Sequence, residues 1–291
     1  MKSIKLLLES LNLIDEENLE VFSTQTRDCK NLTVMKDALS GLIFIDGFLP
    51  ETDVYQSGNY REVGAKLYGK RDFEISVDIR RRVKDYEQFF VGKKIIDFGC
   101  GEGTFIRQTK ESAEKVYGLE IEKKYVEDLI KSGIQCFTNF DELKNEKFDT
   151  IFCFHTLEHL NDPIEVLKSF KKILKPQGHI VIEVPHAKDF LLSTLSNKDF
   201  KNFTLWSQHL ILHTRTSLEK FLKVSNFNNF IIQGKQRYKL SNHLNWIVSG
   251  EAGGHKSLLS SIDTNELTAA YERSLQMIDA TDTLVAVIRN D

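Results

Sequence analysis

The side chains best suited to acid–base chemistry in this chain are three histidines and one acid: His155, Glu158, His159 and His209. Histidine takes up and releases a proton near neutral pH, so it suits removal of a proton from an attacking hydroxyl group. We therefore take these four residues as the candidate catalytic residues. A hydrogen-bonded structural role is the alternative for each histidine.

Three of the four residues form the pattern HxxEH, which also occurs in zinc proteases. A protease needs this pattern on a helix that places both histidines on one face. Here the pattern follows a predicted buried strand, so the sequence argues against a protease.

A second candidate site is a glycine-rich turn in the stretch KKIIDFGCGEGTF, residues 93–105. Apolar residues and an acid run into Gly99, Gly101 and Gly103, which predicts a buried strand, a tight turn and then a helix. Glycine tolerates positive φ and lets a ligand lie against the backbone. The next apolar run, KVYGLE, ends at Glu120, whose carboxylate could accept from both hydroxyls of a ribose. The alternative is that Glu120 only starts the next helix with a favourable charge.

Two other classes of protein share parts of this pattern. An NAD-dependent oxidoreductase would have the same strand, turn and ribose acid, but its fingerprint is GxGxxG, whereas this chain has GxGxG. A non-catalytic nucleotide-binding module is a third reading. The intact glycines, Glu120 and the histidines count against it.

Regular alternation of strand-like and helix-like segments should bring these residues to one edge of a sheet. It predicts an α/β fold with a largely parallel sheet covered on both faces. The predicted strands lie at about 93–99, 115–120, 134–138, 148–155, 178–185, 228–238 and 283–289. A charged helix is predicted from about Glu62 to Phe90. Another, whose apolar face includes Leu174, begins at Asp162 and Pro163.

The segment before the sheet is predicted to be a small α+β appendage. The first residues predict a surface helix and not a signal peptide, because acids follow the short apolar patch at once. Short strands with a turn at Ser40-Gly41 follow. We predict an appendage over residues 1–60 and a main domain over 61–291. An insertion at about 238–280 could serve as a lid or substrate loop.

Composition and charge narrow the class of protein. The net charge of −3 argues against a general nucleic-acid binder. Residues 198–239 nevertheless carry eight bases and two acids, which is either a solvated surface or a cleft that favours an anionic substrate. Four cysteines without a CxxC pair argue against a disulfide framework or a structural zinc site and predict a cytoplasmic location. The apolar runs are too short to span a bilayer. The oligomeric state is left open.

Together these motifs resemble the class I S-adenosylmethionine-dependent methyltransferases over residues 93–289. IIDFGCGEGTF resembles their first cofactor motif, VYGLE their acid-tipped second strand, and FDTIFCFHTLEHLNDP their fourth strand. The resemblance implies a Rossmann-like, seven-stranded, mostly parallel sheet with an antiparallel last strand, and S-adenosylmethionine as the cofactor. The residues that it implies at the cofactor are Asp97, Phe98, Gly99, Gly101, Gly103, Thr104, Glu120, Asn139, Phe140 and His155. Asn139 and Phe140 depart from the family's usual acid followed by a small residue.

The implied reaction is a direct methyl displacement, in which the protein aligns the acceptor and excludes water. An oxygen acceptor also needs a base, for which the histidines are suited. The basic stretch and a similarity to sugar-modifying relatives predict O-methylation of a sugar or carbohydrate-linked small acceptor. A quinone-like or other small metabolite is the alternative.

Two narrower resemblances concern metals. The ubiquinone-biosynthesis O-methyltransferases have a similarly placed ExxEH that binds a divalent ion, but His155 stands where the first acid would be. We therefore predict no metal and leave metal dependence open. Residues 29–60 are similar in outline to a cysteine-ligated zinc module of deoxysugar methyltransferases, of which only Cys29 remains. A metal-free relic of that module is implied, from which Tyr55, Tyr60 and Arg61 could reach the cofactor or acceptor.

Overall fold

The computed structural model describes residues 3–48, 72–143 and 145–291. Over these residues the strands are β1 (Leu19–Ser23), β2 (Val34–Asp37), β3 (Ile43–Ile45), β4 (Lys94–Phe98), β5 (Lys115–Leu119), β6 (Gln135–Phe137), β7 (Phe148–Phe154), β8 (Leu174–Pro185), β9 (Ile211–Leu212), β10 (Asn229–Lys235) and β11 (Thr283–Arg289). The helices are α1 (Ile4–Ser10), α2 (Asp72–Asp85), α3 (Thr104–Thr109), α4 (Lys123–Lys131), α5 (Pro163–Ile173), α6 (Lys198–Thr204), α7 (Arg215–Val224), α8 (Leu240–Ser249) and α9 (Asn265–Met277).

The larger sheet has seven strands in the order β10-β11-β8-β7-β4-β5-β6. The five strands from β8 to β6 pair in parallel, whereas β11 runs antiparallel to both β8 and β10. The predicted Rossmann-like α/β fold is therefore confirmed, and each of the seven strands overlaps its predicted segment, although β8 begins at Leu174 and not near residue 178. The strand order reverses between β4 and β7, and ligands of open α/β sheets bind at the carboxyl ends of strands at such a point.

Helix α5 illustrates how the sheet is covered. The side chain of Asp162 accepts from the backbone N of Glu165 at 3.5 Å, and Pro163 occupies the first turn, as predicted. Leu167 and Phe170 are fully buried against the sheet. The prediction that Leu174 lies on the apolar face of this helix is wrong. Leu174 instead pairs with Phe148 and begins β8, so strand pairing ends the helix one residue earlier.

A second, four-stranded sheet has the order β1-β2-β3-β9. The turn between β2 and β3 contains Gly41 with a φ of +73°, at the predicted turn. Ile4 and Leu8 of α1 are buried in the same core cluster as Leu42 and Phe44. The predicted domain boundary between residues 60 and 61, and the predicted helix residues 62–71, lie outside the described residues.

The predicted insertion between β10 and β11 is mainly helical. It contains α8, two short 3-10 turns at Gly254–Lys256 and Leu258–Ile262, and α9. No helix in the described part of the chain has both the length and the apolar character needed to cross a membrane.

Candidate active site

The glycine turn follows β4 at the carboxyl edge of the larger sheet. Gly99, Gly101 and Gly103 all have positive φ, at 73°, 54° and 70°. A Cβ atom on Gly99 would lie 2.4 Å from Thr156 Oγ1, and one on Gly103 would lie 2.4 Å from Leu129 Cδ2. Two of the glycines are therefore required for close packing as well as for the backbone conformation.

Glu120 follows β5 and reaches back to this turn. Its Oε2 accepts from the backbone N of Gly101 at 2.8 Å. Its Oε1 accepts from the backbone N of Ile121 at 2.8 Å and of Glu122 at 3.0 Å. Glu122 occupies the N-cap position of α4, but its side chain makes no capping hydrogen bond. The tip of β5 thus presents a buried carboxylate beside the glycine turn and directly before α4, and its role at a ribose stays a prediction.

Asp97, the last acid before the turn, is buried within β4. Burial raises the pKa of its carboxyl to about 7; nearby Arg82 opposes the rise, while Glu120 reinforces it. Because this pKa lies near neutral pH, the approach of a cationic group would favour the ionised form of Asp97.

The remaining predicted cofactor residues lie at the ends of β4 and β6. Phe140 stacks on Phe98 with ring centroids 5.4 Å apart. Asn139 is exposed, and its Oδ1 accepts from the backbone N of Asp141 at 2.9 Å. Thr104 is the first residue of α3. Asn139 therefore shapes the turn that holds Phe140, and its predicted contact with adenine stays a prediction.

His155 follows β7 in a left-handed conformation with a φ of 50°, which is uncommon for a residue other than glycine. Its Nε2 is 2.8 Å from Nη1 of Arg237. Because a guanidinium group can only donate, Nε2 accepts, and the ring proton is on Nδ1, 3.4 Å from Glu158 Oε1. Burial, together with Arg237 and Arg82, holds the pKa of His155 well below its usual range. The basic nitrogen of His155 is thus already engaged, which disfavours this residue as the proton acceptor.

Glu158, His159 and His209 are brought together beside His155, with one ligand atom from each within 4.8 Å of the others. Nδ1 of His159 is 2.8 Å from the carbonyl oxygen of Gln208, so Nδ1 carries the proton and Nε2 is the basic nitrogen. That Nε2 lies 4.0 Å from Glu158 Oε1. The structure therefore brings all four predicted catalytic residues together, and their catalytic roles stay predictions.

Glu158 is fully buried, and neither of its carboxylate oxygens accepts a hydrogen bond from residues 3–48, 72–143 or 145–291. Burial raises the pKa of this carboxyl to about 8. A carboxylate and two imidazoles are a donor set that a divalent ion such as zinc accepts, so these three residues are the ones that could hold a metal. The prediction of no metal stays a prediction. Leu157–His159 form a single 3-10 turn, which is not the helix that a protease would need.

A buried charged cluster beside His155 was missed by sequence reasoning. Its members are Asp78, Arg81, Arg82, Tyr86, Glu183 and Arg237. Glu183 on β8 is fully buried and contacts Arg81 at 2.9 Å and Arg82 at 2.8 Å. Arg237 Nη2 lies 2.7 Å from Asp78 Oδ2. An acid followed by bases three and four positions later on α2 was the available signal, but the sequence could not show that they meet β8.

A cavity of about 130 Å³ adjoins this assembly. Its lining includes His155, His209 and Arg237 as well as two aromatic side chains, Phe200 and Phe203. Its remaining lining residues include Asp189 and Asp282; burial raises the pKa of the former to about 7. The cavity combines an aromatic wall, hydrogen-bonding groups and candidate bases, which is the lining expected of a small-molecule acceptor site.

The strand order, the antiparallel β11 and the glycine turn with its carboxylate define the class I S-adenosylmethionine-dependent methyltransferase fold. A methyltransferase of that class from Archaeoglobus fulgidus superposes with a TM-score of 0.52 at 16% identity, covering 79% of this chain and all of the other. The methyltransferase domain family model matches residues 71–230, more than half of the chain. The chain belongs to this family, as the sequence motifs predicted.

Curated relatives share the same region. A protein named ubiquinone biosynthesis O-methyltransferase from Ralstonia nicotianae is 28% identical over 116 residues, 36% of this chain and 49% of the relative. One of the same name from Vibrio cholerae is 25% identical over 178 residues, 56% of this chain and 65% of the relative. The chain spans about half to two thirds of the length of these relatives.

Proposed function

We propose that this chain transfers a methyl group from S-adenosylmethionine to an oxygen atom of a small acceptor. The observation that carries the proposal is the buried Glu120 carboxylate bonded to the glycine turn at the strand-order reversal, within a methyltransferase domain. A turn with three positive-φ glycines gives the cofactor's methionine part a surface of bare backbone. The cofactor's ribose hydroxyls are donors for which Glu120 is the acceptor.

When bound, S-adenosylmethionine supplies an electrophilic methyl group on its sulfonium. Asp97 and Glu120 would hold the cofactor's amino group and ribose, and Phe140 would border its adenine. His209 lines the acceptor cavity, and the ring of His159 lies 5.0 Å from it; the hydrogen bond of Nδ1 leaves Nε2 as the nitrogen of His159 that would take the proton of an acceptor hydroxyl. His155, which accepts from Arg237, lines the cavity as an uncharged side chain and does not act as the base.

A quinone-like or other small metabolite is favoured over the sugar acceptor that the sequence predicted. The curated relatives carry the name ubiquinone biosynthesis O-methyltransferase, and nothing in the comparisons supports carbohydrate biosynthesis. Phe200 and Phe203 give the acceptor cavity a wall against which an aromatic ring can pack. The predicted zinc-module relic and the roles of Tyr55, Tyr60 and Arg61 stay predictions.

The proposal is tested first by calorimetric titration with S-adenosylhomocysteine and, separately, with NAD. We expect the former alone to bind. Gly101→Arg, which fills the turn with a long side chain, should abolish binding, while Gly92→Arg, in a turn at the opposite end of β4, should not. Binding of NAD in place of S-adenosylhomocysteine would refute the methyltransferase proposal. Incubation with catechols and with nucleotide sugars, followed by mass detection of a one-methyl gain, then distinguishes the two acceptor classes.

A further inference from the structure

A second cavity, of about 280 Å³, adjoins the first and shares Arg237, Tyr238 and Asn242 with its lining. Its lining includes the cationic side chains Arg81, Arg237 and Lys239, as well as His255 from the insertion between β10 and β11. Arg237 lines both this cavity and the 130 Å³ cavity beside His155 and His209, so it forms a wall shared by the two. The two cavities are therefore neighbours, and a molecule with two parts would contact Arg237 from both.

The two acids that line the larger cavity already have partners. Asp263 accepts from Ser241 Oγ at 2.6 Å and from the Ser241 backbone N at 3.2 Å. Asp78 is shared between Arg81 at 2.6 Å and Arg237 at 2.7 Å. The lining acids are therefore engaged inside the protein and do not present a matching negative surface to a ligand.

The arginines of this lining are partly neutralised by acids. Asp78 and Glu183 contact Arg81, Arg82 and Arg237, and Oδ2 of Asp85 lies 3.7 Å from Nη1 of Arg81. Lys239, by contrast, is exposed and lines the cavity. An anionic oxygen that enters the cavity would form a charge-assisted hydrogen bond with Lys239, beside the two guanidinium groups.

Two of the eight bases in residues 198–239 line this cavity, namely Arg237 and Lys239. Others are used elsewhere: Arg215 pairs with Asp279, and Lys235 pairs with Asp85. Most bases of this stretch are thus exposed to solvent or paired with acids. A role in anion binding falls to the two bases that line the larger cavity.

We propose that the 280 Å³ cavity is an anion subsite for the methyl acceptor, which binds a carboxylate or phosphate group on Arg81, Arg237 and Lys239. This inference rests on the proposed methyltransferase function. It adds that the methyl acceptor carries a negative charge. Nη1 of Arg237 donates to His155 and Nη2 contacts Asp78, so the same guanidinium links the anion subsite to the residues around the reacting hydroxyl. An acceptor with an anionic group at a distance from its hydroxyl would be aligned by both cavities.

The test measures the melting temperature at matched ionic strength during titration with inorganic phosphate or with acetate, once with saturating S-adenosylhomocysteine and once without it. A ligand that binds only the folded protein raises its stability in a saturable way. We expect saturation with one of the two anions, which also identifies the preferred group. Lys239→Gln should weaken that anion about tenfold or more, because a charge-assisted contact is lost. Lys223→Gln is the matched control: it removes the same charge from an exposed position on α7 and should leave anion binding unchanged.

Three results would overturn the subsite. The first is an unsaturable response to both anions, and the second is an equal response in Lys239→Gln and Lys223→Gln. The third is anion binding that appears only without S-adenosylhomocysteine, because the cavity would then receive the cofactor's own carboxylate. Failure of S-adenosylhomocysteine to bind the unaltered protein would instead refute the proposed function, so the two failures are distinguishable.

Discussion

Replacement of Glu120 by glutamine tests the cofactor site most directly. In the present structure one carboxylate oxygen accepts from Gly101 N, and the other accepts from the backbone N atoms of Ile121 and Glu122. Glutamine keeps one acceptor oxygen, which can still serve Ile121 and Glu122. Its NH₂ group would then face the N–H of Gly101, which is also a donor, and towards a ribose hydroxyl it could donate but no longer accept.

The expected loss follows from this geometry. One charge-assisted hydrogen bond to the ribose is removed, worth about 1.5–3 kcal/mol, so the dissociation constant for S-adenosylhomocysteine should rise about 10- to 150-fold. Glu120→Asp keeps the negative charge on a shorter side chain. If the charge dominates, this variant should lose less affinity for S-adenosylhomocysteine than Glu120→Gln does.

Calorimetric titration with S-adenosylhomocysteine measures this change, and a melting curve of each variant checks that the fold is intact. Glu114→Gln is the matched control, because Glu114 is an exposed acid just before the opposite end of β5. The control should bind as the unaltered protein does. An affinity of folded Glu120→Gln within about threefold of the control, less than 1 kcal/mol, would refute the ribose role.

Four further outcomes are expected. Glu183→Gln should lower the free energy of unfolding in urea by about 3–5 kcal/mol, because buried guanidinium groups lose their partner; a loss below about 1 kcal/mol would contradict this. His159→Ala and His209→Ala should lower kcat more than cofactor affinity, and unchanged rates in both would remove them as bases. A chelator should leave turnover unchanged if these histidines act as bases, whereas loss restored by an added divalent ion would assign them, with Glu158, to a metal. Burial lowers the pKa of His213 to about 3, so the unfolded chain gains a proton below pH 6.5 that the folded chain does not. The contribution of His213 to stability should therefore fall by about 2 kcal/mol between pH 7 and 5. The change in the free energy of unfolding between these pH values, measured by urea denaturation, should accordingly be about 2 kcal/mol less unfavourable in His213→Gln than in the unaltered protein.

Local signals made the sheet and the cofactor turn predictable. Gly99, Gly101 and Gly103 predict a turn because glycine tolerates positive φ wherever it occurs. Apolar runs predict β4, β5 and β7. The grouping of His155, Glu158 and His159 also follows from adjacency in the chain. These inferences need no knowledge of which segments meet.

The charged cluster could not be predicted because its members are distant in sequence. Arg81 and Glu183 are 102 positions apart, and Arg237 and His155 are 82 positions apart. Charge composition showed an excess of bases near residue 237, but a composition does not reveal which acid or histidine each base will contact. The protonation of His155 depends on that long-range contact and was therefore out of reach as well.

The pairing of β9 with β3 joins the N-terminal appendage to the main domain through a shared sheet. Ile43 lies opposite Leu212 and Phe44 opposite Ile211, so the sheet of the first residues is completed by a strand from the loop that carries His209. The backbone N of Leu210 also donates to the carbonyl oxygen of Glu158 at 2.9 Å. Excision of the first 48 residues would therefore strip a neighbour from the strand that anchors this loop. The family-like core, separated from its appendage, would retain its glycine turn but lose the support of its acceptor side.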